Sequence, residues 1–335
     1  MRGTVLVAGG AGYIGSHMVK LLSREDCHVV TLDNLSEGHR DAVVAGAFIE
    51  GDLLRPGDLS DAFRAHRIDM VMHFAANCYV GESVQDPRKY YRNNVAGTLN
   101  LLNAMLEAGV TKFVFSSSCA SYGVPQTDSI DESHPQHPVN PYGRTKLMVE
   151  QVLADYAPAY RLQSVSLRYF NAAGCDPEGQ LGERHDPETH LIPLVLREAL
   201  RVKKGGDPAA TQLRVNGDDF ATPDGTCIRD YIHVADLCRA HLLAGERLME
   251  QRAAGAEAYN LGIGKGFSVK EVIEVCRKVT GAPIEYKVAG RRPGDPPRLV
   301  ANADKARREL GWTPEYVDLV SIVETAWRYM EARAA

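Results

Sequence analysis

Short apolar runs of strand length recur along the first half of the chain, each followed by a longer stretch with helical spacing. Thr4 to Gly9 (TVLVAG), His28 to Asp33 (HVVTLD), Asp69 to Ala75 (DMVMHFA), Lys112 to Ser117 (KFVFSS) and Gln163 to Phe170 (QSVSLRYF) are such runs. They are nearly continuous in apolar character, which predicts strands buried on both faces. Apolar positions at helical spacing run from Gly15 to Arg24 and from Val95 to Ala108. Repeated strand–helix–strand units predict an α/β doubly wound fold, a parallel sheet with helices on both faces, and ligands beyond the carboxyl ends of its strands. After about Phe170 the pattern changes. Asn171 to His190 is rich in Gly, Pro, His and acids, and Lys204 to Arg229 is a second turn-rich stretch. Long loops in a compact enzyme usually bind or cover ligands. From Tyr259 short α/β pieces resume, ending in an amphipathic helix near Tyr316 to Ala332. No internal repeat or low-complexity run interrupts this order.

Composition narrows the function. The 335 residues suffice for two modest domains, and a net charge of −5 argues against nucleic acid, which needs a basic face. Seven scattered cysteines form no CxxC pair and read as reduced thiols. No signal-peptide h-region precedes the first strand, and no apolar run approaches the roughly 20 residues that span a bilayer. The expected location is the cytoplasm, with no membrane partner and no metal.

Candidate chemistry sits at the strand ends. Gly9, Gly12 and Gly15 follow the first strand directly in VLVAGGAGYIGSH. Glycine there permits a tight turn and close backbone approach to a pyrophosphate, and the following helix offers its N-terminal N–H groups. Asp33 ends the second strand, where a carboxylate can accept from an adenosine ribose and repel a 2′-phosphate, favouring NAD over NADP. DNLSEG is also good turn chemistry, and the two readings are compatible. Asp52, after the third strand, is placed for an adenine amino group. In NPYGRTK, Pro141 suits a first helical turn, and Tyr142 and Lys146 then share a face as i and i+4. To act as a base near neutral pH, a tyrosine needs its pKa lowered by about 3 units, roughly 4 kcal/mol. One cation at about 4 Å supplies roughly 1 kcal/mol in water but about 4 at an effective dielectric near 20. The pair therefore needs a site shielded from water; a solvated helix face is the alternative. Ser116, Ser117 and Ser118 end the fifth strand, and Ser118 is the candidate to hydrogen-bond the substrate oxygen that Tyr142 deprotonates; a polar strand-end loop is the alternative.

These blocks, with HFAA, YYRNN, LRYFNAAG, PDGTCIRDYIHV, YNLG and RRPGDP, resemble the extended short-chain dehydrogenase/reductase family over nearly the whole chain, and within it the UDP-glucose 4-epimerases. The resemblance implies a Rossmann-type NAD-binding domain (1–170 and 226–258) and a smaller α/β UDP-sugar-binding domain (171–225 and 259–335). It implies that Tyr142 is the base, that Lys146 tunes it and holds the nicotinamide ribose, and that Ser118 joins the proton shuttle. Hydride would leave the sugar C4 for NAD and return to the opposite face of a 4-keto sugar, interconverting UDP-glucose and UDP-galactose. Gly9, Gly12, Tyr13, Ile14, Gly15, Asp33, Asn34, Asp52, Leu53, Phe74, Ala75, Ala76, Asn93, Ser116, Lys146 and Tyr169 would line the cofactor. Asn171, His190, Leu191, Asn216, Arg229, Arg292 and Asp295 would join Ser118 and Tyr142 around the substrate. Arg229 could instead pair with Asp230.

Cys78, His190, Asn216 and Leu299 depart from common family residues, and the last bears on tolerance of N-acetylated sugars. A 4,6-dehydratase would be expected to carry Asp-Glu after the hydroxyl, whereas Cys119 and Ala120 follow Ser118. A 4-epimerase of another UDP-sugar, a net dehydrogenase and an inactive NAD-binding module are the remaining readings. The resemblance further implies a homodimer through the helices near Val95 to Ala108 and Arg144 to Asp155.

Overall fold

Seven parallel strands form the main sheet of a computed structural model, which describes residues 1–292 and 294–334. They are β1 (Gly3–Ala8), β2 (Cys27–Asp33), β3 (Ala47–Glu50), β4 (Met70–His73), β5 (Lys112–Ser116), β6 (Gln163–Tyr169) and the strand Ala256–Leu261. Their order is Ala256–Leu261, β6, β5, β4, β1, β2, β3. The winding runs outward from β1 to β3, then returns to β4 and proceeds the other way. The crevice between the ends of β1 and β4 is therefore the topological switch point, where such sheets bind ligands.

Successive strand residues face opposite sides, and both sides are covered. Val5, Val7, Met70 and Met72 pack with Met18, Leu237 and Leu242 on one face. Leu6, Ala8, Val71, Phe113 and Phe115 pack with Leu101, Leu102, Met105, Val149 and Leu153 on the other. Burial on both faces explains why the strands lack polar alternation.

The chain from Asn171 contributes a second core. Strands Gly266–Ser268, Ile228–His233, Arg298–Leu299 and Asn171–Ala173 make a small mixed sheet, and Arg214–Asn216 pairs with Lys287–Ala289. Helices Leu191–Lys203, Val269–Thr280 and Leu319–Ala334 pack around Val195, Ile273, Ile322 and Trp327. The last helix was expected from near Tyr316 and starts three residues later. The Val269–Thr280 helix carries a reciprocal cap, Ser268 with Glu271.

One helix departs from the expected pattern. The stretch expected as a single helix from Val95 to Ala108 begins as a wide π-helical segment, Tyr91–Gly97, and becomes α-helical only over Thr98–Glu107. The cause is a buried polar tie: Asn94 donates to Asn77 O (3.0 Å) and Thr145 Oγ1 (3.1 Å) and accepts from Asn77 N (2.9 Å). Among the described residues, no helix is long and apolar enough to cross a membrane.

Candidate active site

The glycine turn lies at the switch point. Gly9 has φ +82, and a Cβ there would lie 2.4 Å from Ala75 N, so only glycine lets the turn pass beneath the chain leaving β4. A Cβ on Gly15 would lie 2.1 Å from Gly9 O, so this glycine closes helix Tyr13–Leu22 against the turn. At Gly12 a Cβ would meet only Gly9 O, at 3.5 Å. No side chain caps the helix at Gly12, and its first N–H groups face outward for an anion. Ile14 packs on the core, and Tyr13 donates its hydroxyl to Gly174 O (2.5 Å), tying the turn to the second half of the chain.

Asp33 accepts from Ala11 N (2.9 Å) and Leu35 N (2.8 Å), one bond to each oxygen. Burial nonetheless pushes its carboxyl up from the ordinary value. Each oxygen keeps acceptor capacity for a diol. Asn34 reaches Asp52 Oδ2 (3.3 Å), and Leu53 is buried beneath this edge. Phe74 and Ala75 both donate their N–H to Ala8 O (2.7 and 3.0 Å), bending the chain with Ala76 over the end of β1. Asn93 lies on the wide helical segment and donates to Asn94 Oδ1 (3.0 Å).

The groups expected to handle protons lie at the end of β5 and the start of the following helix. Asn140 caps the Pro141–Tyr160 helix by accepting from Gly143 N (2.8 Å), with Pro141 at its first turn. Tyr142 is 8% and Lys146 4% exposed, so a solvated helix face is ruled out. The Lys146 ammonium donates to Ser116 O (2.8 Å) and lies 5.7 Å from the Tyr142 ring centroid. Burial lowers this lysine to about 8. Burial also pushes the Tyr142 phenol well above its ordinary value, with Tyr169 and Cys78 adding to the rise and a hydrogen bond from Ser118 opposing it. The expected lowering was to come from Lys146 together with an oxidised nicotinamide, and the protein's own groups do not supply it by themselves. Among the protein's own groups desolvation wins, because the ammonium is directed at a carbonyl rather than at the phenol oxygen. Ser116 Oγ bonds Tyr169 OH (2.8 Å), and Ser117 Oγ bonds Glu150 Oε1 (2.5 Å). Ser118 Oγ also accepts from Ala120 N (3.2 Å).

The expected substrate groups come from separate segments. Asn171 donates to Asp230 O (2.9 Å). Arg229 donates to Ile228 O and Pro296 O (2.9 Å each) and pairs with Asp295 (3.4 Å), which also pairs with Arg292 (3.1 Å). Arg229 does not pair with Asp230, whose carboxylate accepts from the N–H groups of Ile263, Gly264 and Ala301. His190 and Leu191 open helix Leu191–Lys203. The His190 Nδ1 contacts Glu183 (2.7 Å) and Glu188 (3.0 Å), so only its Nε2 edge can face a substrate. Asn216 ends the strand paired with Ala289, and a Cβ on the adjacent Gly217 would lie 2.8 Å from the Arg291 side chain. Cys78 is half-buried, and desolvation pushes its thiol up to about 12, away from the thiolate a nucleophile needs.

The NAD dependent epimerase/dehydratase family matches residues 5–262. The chain belongs to this family. It is 52% identical over 325 residues to the UDP-glucose 4-epimerase of Halalkalibacterium halodurans, covering 97% of this chain and 95% of that one. Among solved structures it is similar to UDP-glucose 4-epimerase from Brucella ovis in complex with NAD, with TM-score 0.91, 51% identity and 97% of each chain covered. It is also similar to UDP-glucose 4-epimerase from Bifidobacterium longum in complex with NAD+ and UDP, with TM-score 0.90, 37% identity and 99% of each chain covered.

Sequence reasoning missed the supports of this family site. Glu150 and Arg168 form a buried pair, each side chain 8% exposed, at 2.5 Å. Glu150 also accepts from Ser117, and Arg168 donates to Tyr122 OH (2.9 Å), which donates to Asn260 (2.7 Å). The pair fixes the Tyr142 helix against β5 and β6. Its one sequence signal is that Tyr142, Lys146 and Glu150 continue a single i, i+4 row.

Proposed function

We propose that the chain interconverts UDP-glucose and UDP-galactose as an NAD-dependent 4-epimerase acting through a 4-keto sugar. The observation that carries this reading is the meeting of Tyr142, Ser118 and Lys146, dry, at the end of β5 beside the switch-point crevice. The residues present fit NAD: the helix start is uncapped, Gly12 leaves room for a pyrophosphate, and Asp33 retains acceptor capacity for a ribose diol. Bound there, NAD supplies the hydride chemistry and, when oxidised, a positive charge that favours phenolate. Tyr142 takes the proton of the sugar 4-hydroxyl, directly or through Ser118, and returns it after the sugar has turned. Lys146, fixed by Ser116 O, holds the ribose edge. Arg229 and Arg292 offer guanidinium donors to the diphosphate, with Asp295 orienting both, and Asn171 stands beside them on the substrate side. Activity without net oxidation is expected: UDP-galactose should yield UDP-glucose with no stoichiometric rise at 340 nm. A steady rise, or no turnover of either sugar, would overturn the proposal.

A second reading concerns the sugar. Leu299 packs against the cluster of Cys119, Tyr122 and Phe170, next to Ser118, which supports a role in admitting larger 2-substituents. A panel of N-acetyl, uronate and pentose UDP-sugars tests it. We also infer a homodimer through the helices Thr98–Glu107 and Pro141–Tyr160, where Met148 and Tyr160 are exposed. A stable monomer in sedimentation would reject it. The seven unpaired cysteines support a cytoplasmic protein, and a place in galactose metabolism follows from the sugars proposed above.

A further inference from the structure

The loop that leads into helix Leu191–Lys203 gathers two imidazoles and two carboxylates outside the catalytic groups. One ligand atom from each of Glu183, His185, Glu188 and His190 lies within 4.8 Å of all the others. Glu183 Oε1 is 2.7 Å from His190 Nδ1 and 3.0 Å from His185 Nδ1. Glu188 Oε1 is 3.0 Å from His190 Nδ1, and Glu188 Oε2 is 3.9 Å from His185 Nδ1. A tetrahedral ion with bonds of about 2.0–2.1 Å holds its N and O ligands about 3.3 Å apart. The measured separations straddle that spacing.

An independent observation points to a ligand. Glu188 Oε2 is buried without a hydrogen-bond partner, on a side chain that is 0% exposed. The other oxygen already accepts from Thr189 N, His190 N and His190 Nδ1. An unserved carboxylate oxygen in the interior is costly, and such a group calls for an ion or other partner. Among the described residues, neither Glu183 nor Glu188 pairs with a lysine or arginine. The intervening Arg184 is turned away onto Asp41 (2.7 Å).

We propose that Glu183, His185, Glu188 and His190 bind one zinc ion, which clasps this loop across the glycine turn. Two imidazoles favour a borderline divalent ion over calcium or magnesium, and the lack of a thiolate disfavours soft Cu(I). The position gives the clasp its purpose. His185 stands edge-on to Tyr13 at 6.3 Å between centroids, and His39 Nε2 contacts Arg184 O at 3.1 Å, so the loop straps the mouth of the turn. Metal binding stands by itself; its effect on cofactor retention rests on the NAD reading above.

The test uses the full chain, stripped with EDTA, desalted and titrated with zinc chloride. One equivalent of zinc should remain per chain after a second desalting, measured by mass spectrometry of the metal. The unfolding midpoint should rise by about 5 °C at a hundredfold excess over Kd. Cobalt(II) in place of zinc should give the visible absorption of a tetrahedral site. His185→Ala and, separately, Glu188→Gln should retain less than a tenth of an equivalent; the first keeps the test valid if the buried glutamate is needed for folding. NAD should leave the zinc-loaded chain several-fold more slowly than the stripped one. Zinc retained equally by wild type and both variants, or by none, overturns the site. Zinc bound at one equivalent with unchanged NAD release overturns the clasp. A chain that binds zinc but never NAD supports the metal site and sinks the cofactor reading instead.

Discussion

Replacing Gly12 and Gly15 separately by alanine distinguishes a glycine kept for a ligand from one kept for the fold. At Gly15 the new Cβ would lie 2.1 Å from Gly9 O and 2.9 Å from Gly10 Cα, and both neighbours are backbone. The turn would have to open, with a cost of about 1–3 kcal/mol or more. At Gly12 the only atom within 4 Å is Gly9 O at 3.5 Å, and φ is −78, which alanine adopts without strain. Folding should change by no more than about 0.5 kcal/mol there. The methyl would instead stand where a pyrophosphate must approach the helix start, an overpacking cost of about 1–3 kcal/mol charged to binding alone. That corresponds to roughly 5- to 140-fold weaker NAD, at 1.4 kcal/mol per decade. Thermal unfolding of the NAD-stripped variants and calorimetric titration with NAD read the two quantities separately. Gly12→Ala should keep its midpoint and lose affinity; Gly15→Ala should lose its midpoint. Wild-type NAD affinity in Gly12→Ala would refute the pyrophosphate contact, and an unshifted midpoint in Gly15→Ala would refute the packing argument.

Tyr142→Phe should lower kcat by about 10²–10⁴ while NAD stays bound, and full activity would remove Tyr142 from the reaction. Ultraviolet titration, taken as the difference between wild type and this variant, should show the phenol ionising at lower pH in the NAD-loaded chain than in the stripped one; identical curves would deny it the cofactor's charge. Glu150→Ala leaves the Arg168 guanidinium buried without its partner and should cost about 3–5 kcal/mol in denaturant unfolding, while the double change with Arg168→Ala should cost less than the sum. Burial pushes the Asp230 carboxyl up from 3.8 to about 6, so the folded chain holds its proton where the unfolded chain has released it. That contribution to stability is full below about pH 4 and is lost as pH rises through 6, by at most roughly 3 kcal/mol. Asp230→Asn lacks this term, so its deficit against wild type should be larger at pH 4 than at pH 7; an equal deficit would contradict the buried acid.

The main sheet was legible because its strands are buried on both faces, so Thr4 to Gly9 and Lys112 to Ser117 stand out as apolar runs without long-range information. Even there the boundaries depend on backbone detail: β1 stops at Ala8 because Gly9 turns to φ +82. The wide helix before Thr98 was not legible, since its cause is Asn94 bonding to Asn77 and Thr145, far away in sequence. The Glu150–Arg168 pair was hidden for the same reason, as helix and strand propensities say nothing about a partner on the next element. Glu183, His185, Glu188 and His190 lay within a stretch already marked as turn-rich and charged. Their convergence depends on how the loop folds back, and no regular ligand spacing announces it.

The direction of two shifts reshapes the chemistry that NPYGRTK suggests. An ammonium beside a phenol lowers the phenol only if it approaches the oxygen, and Lys146 is fixed on Ser116 O instead. Burial then acts on both groups at once, toward the neutral form of each: Lys146 falls to about 8 and Tyr142 rises. The same dry pocket that makes a nearby charge worth several kcal/mol therefore withholds the phenolate until such a charge is present. Lys146 keeps its proposed role nonetheless. Anchored by a carbonyl at the end of β5 and held by the helix that Glu150 and Arg168 secure, it is a fixed donor at the crevice, able to position a diol and to add its field to that of an oxidised ring. On the role proposed for Tyr142, proton abstraction waits on a loaded crevice, which suits a reaction in which the hydride removed from the sugar must be given back.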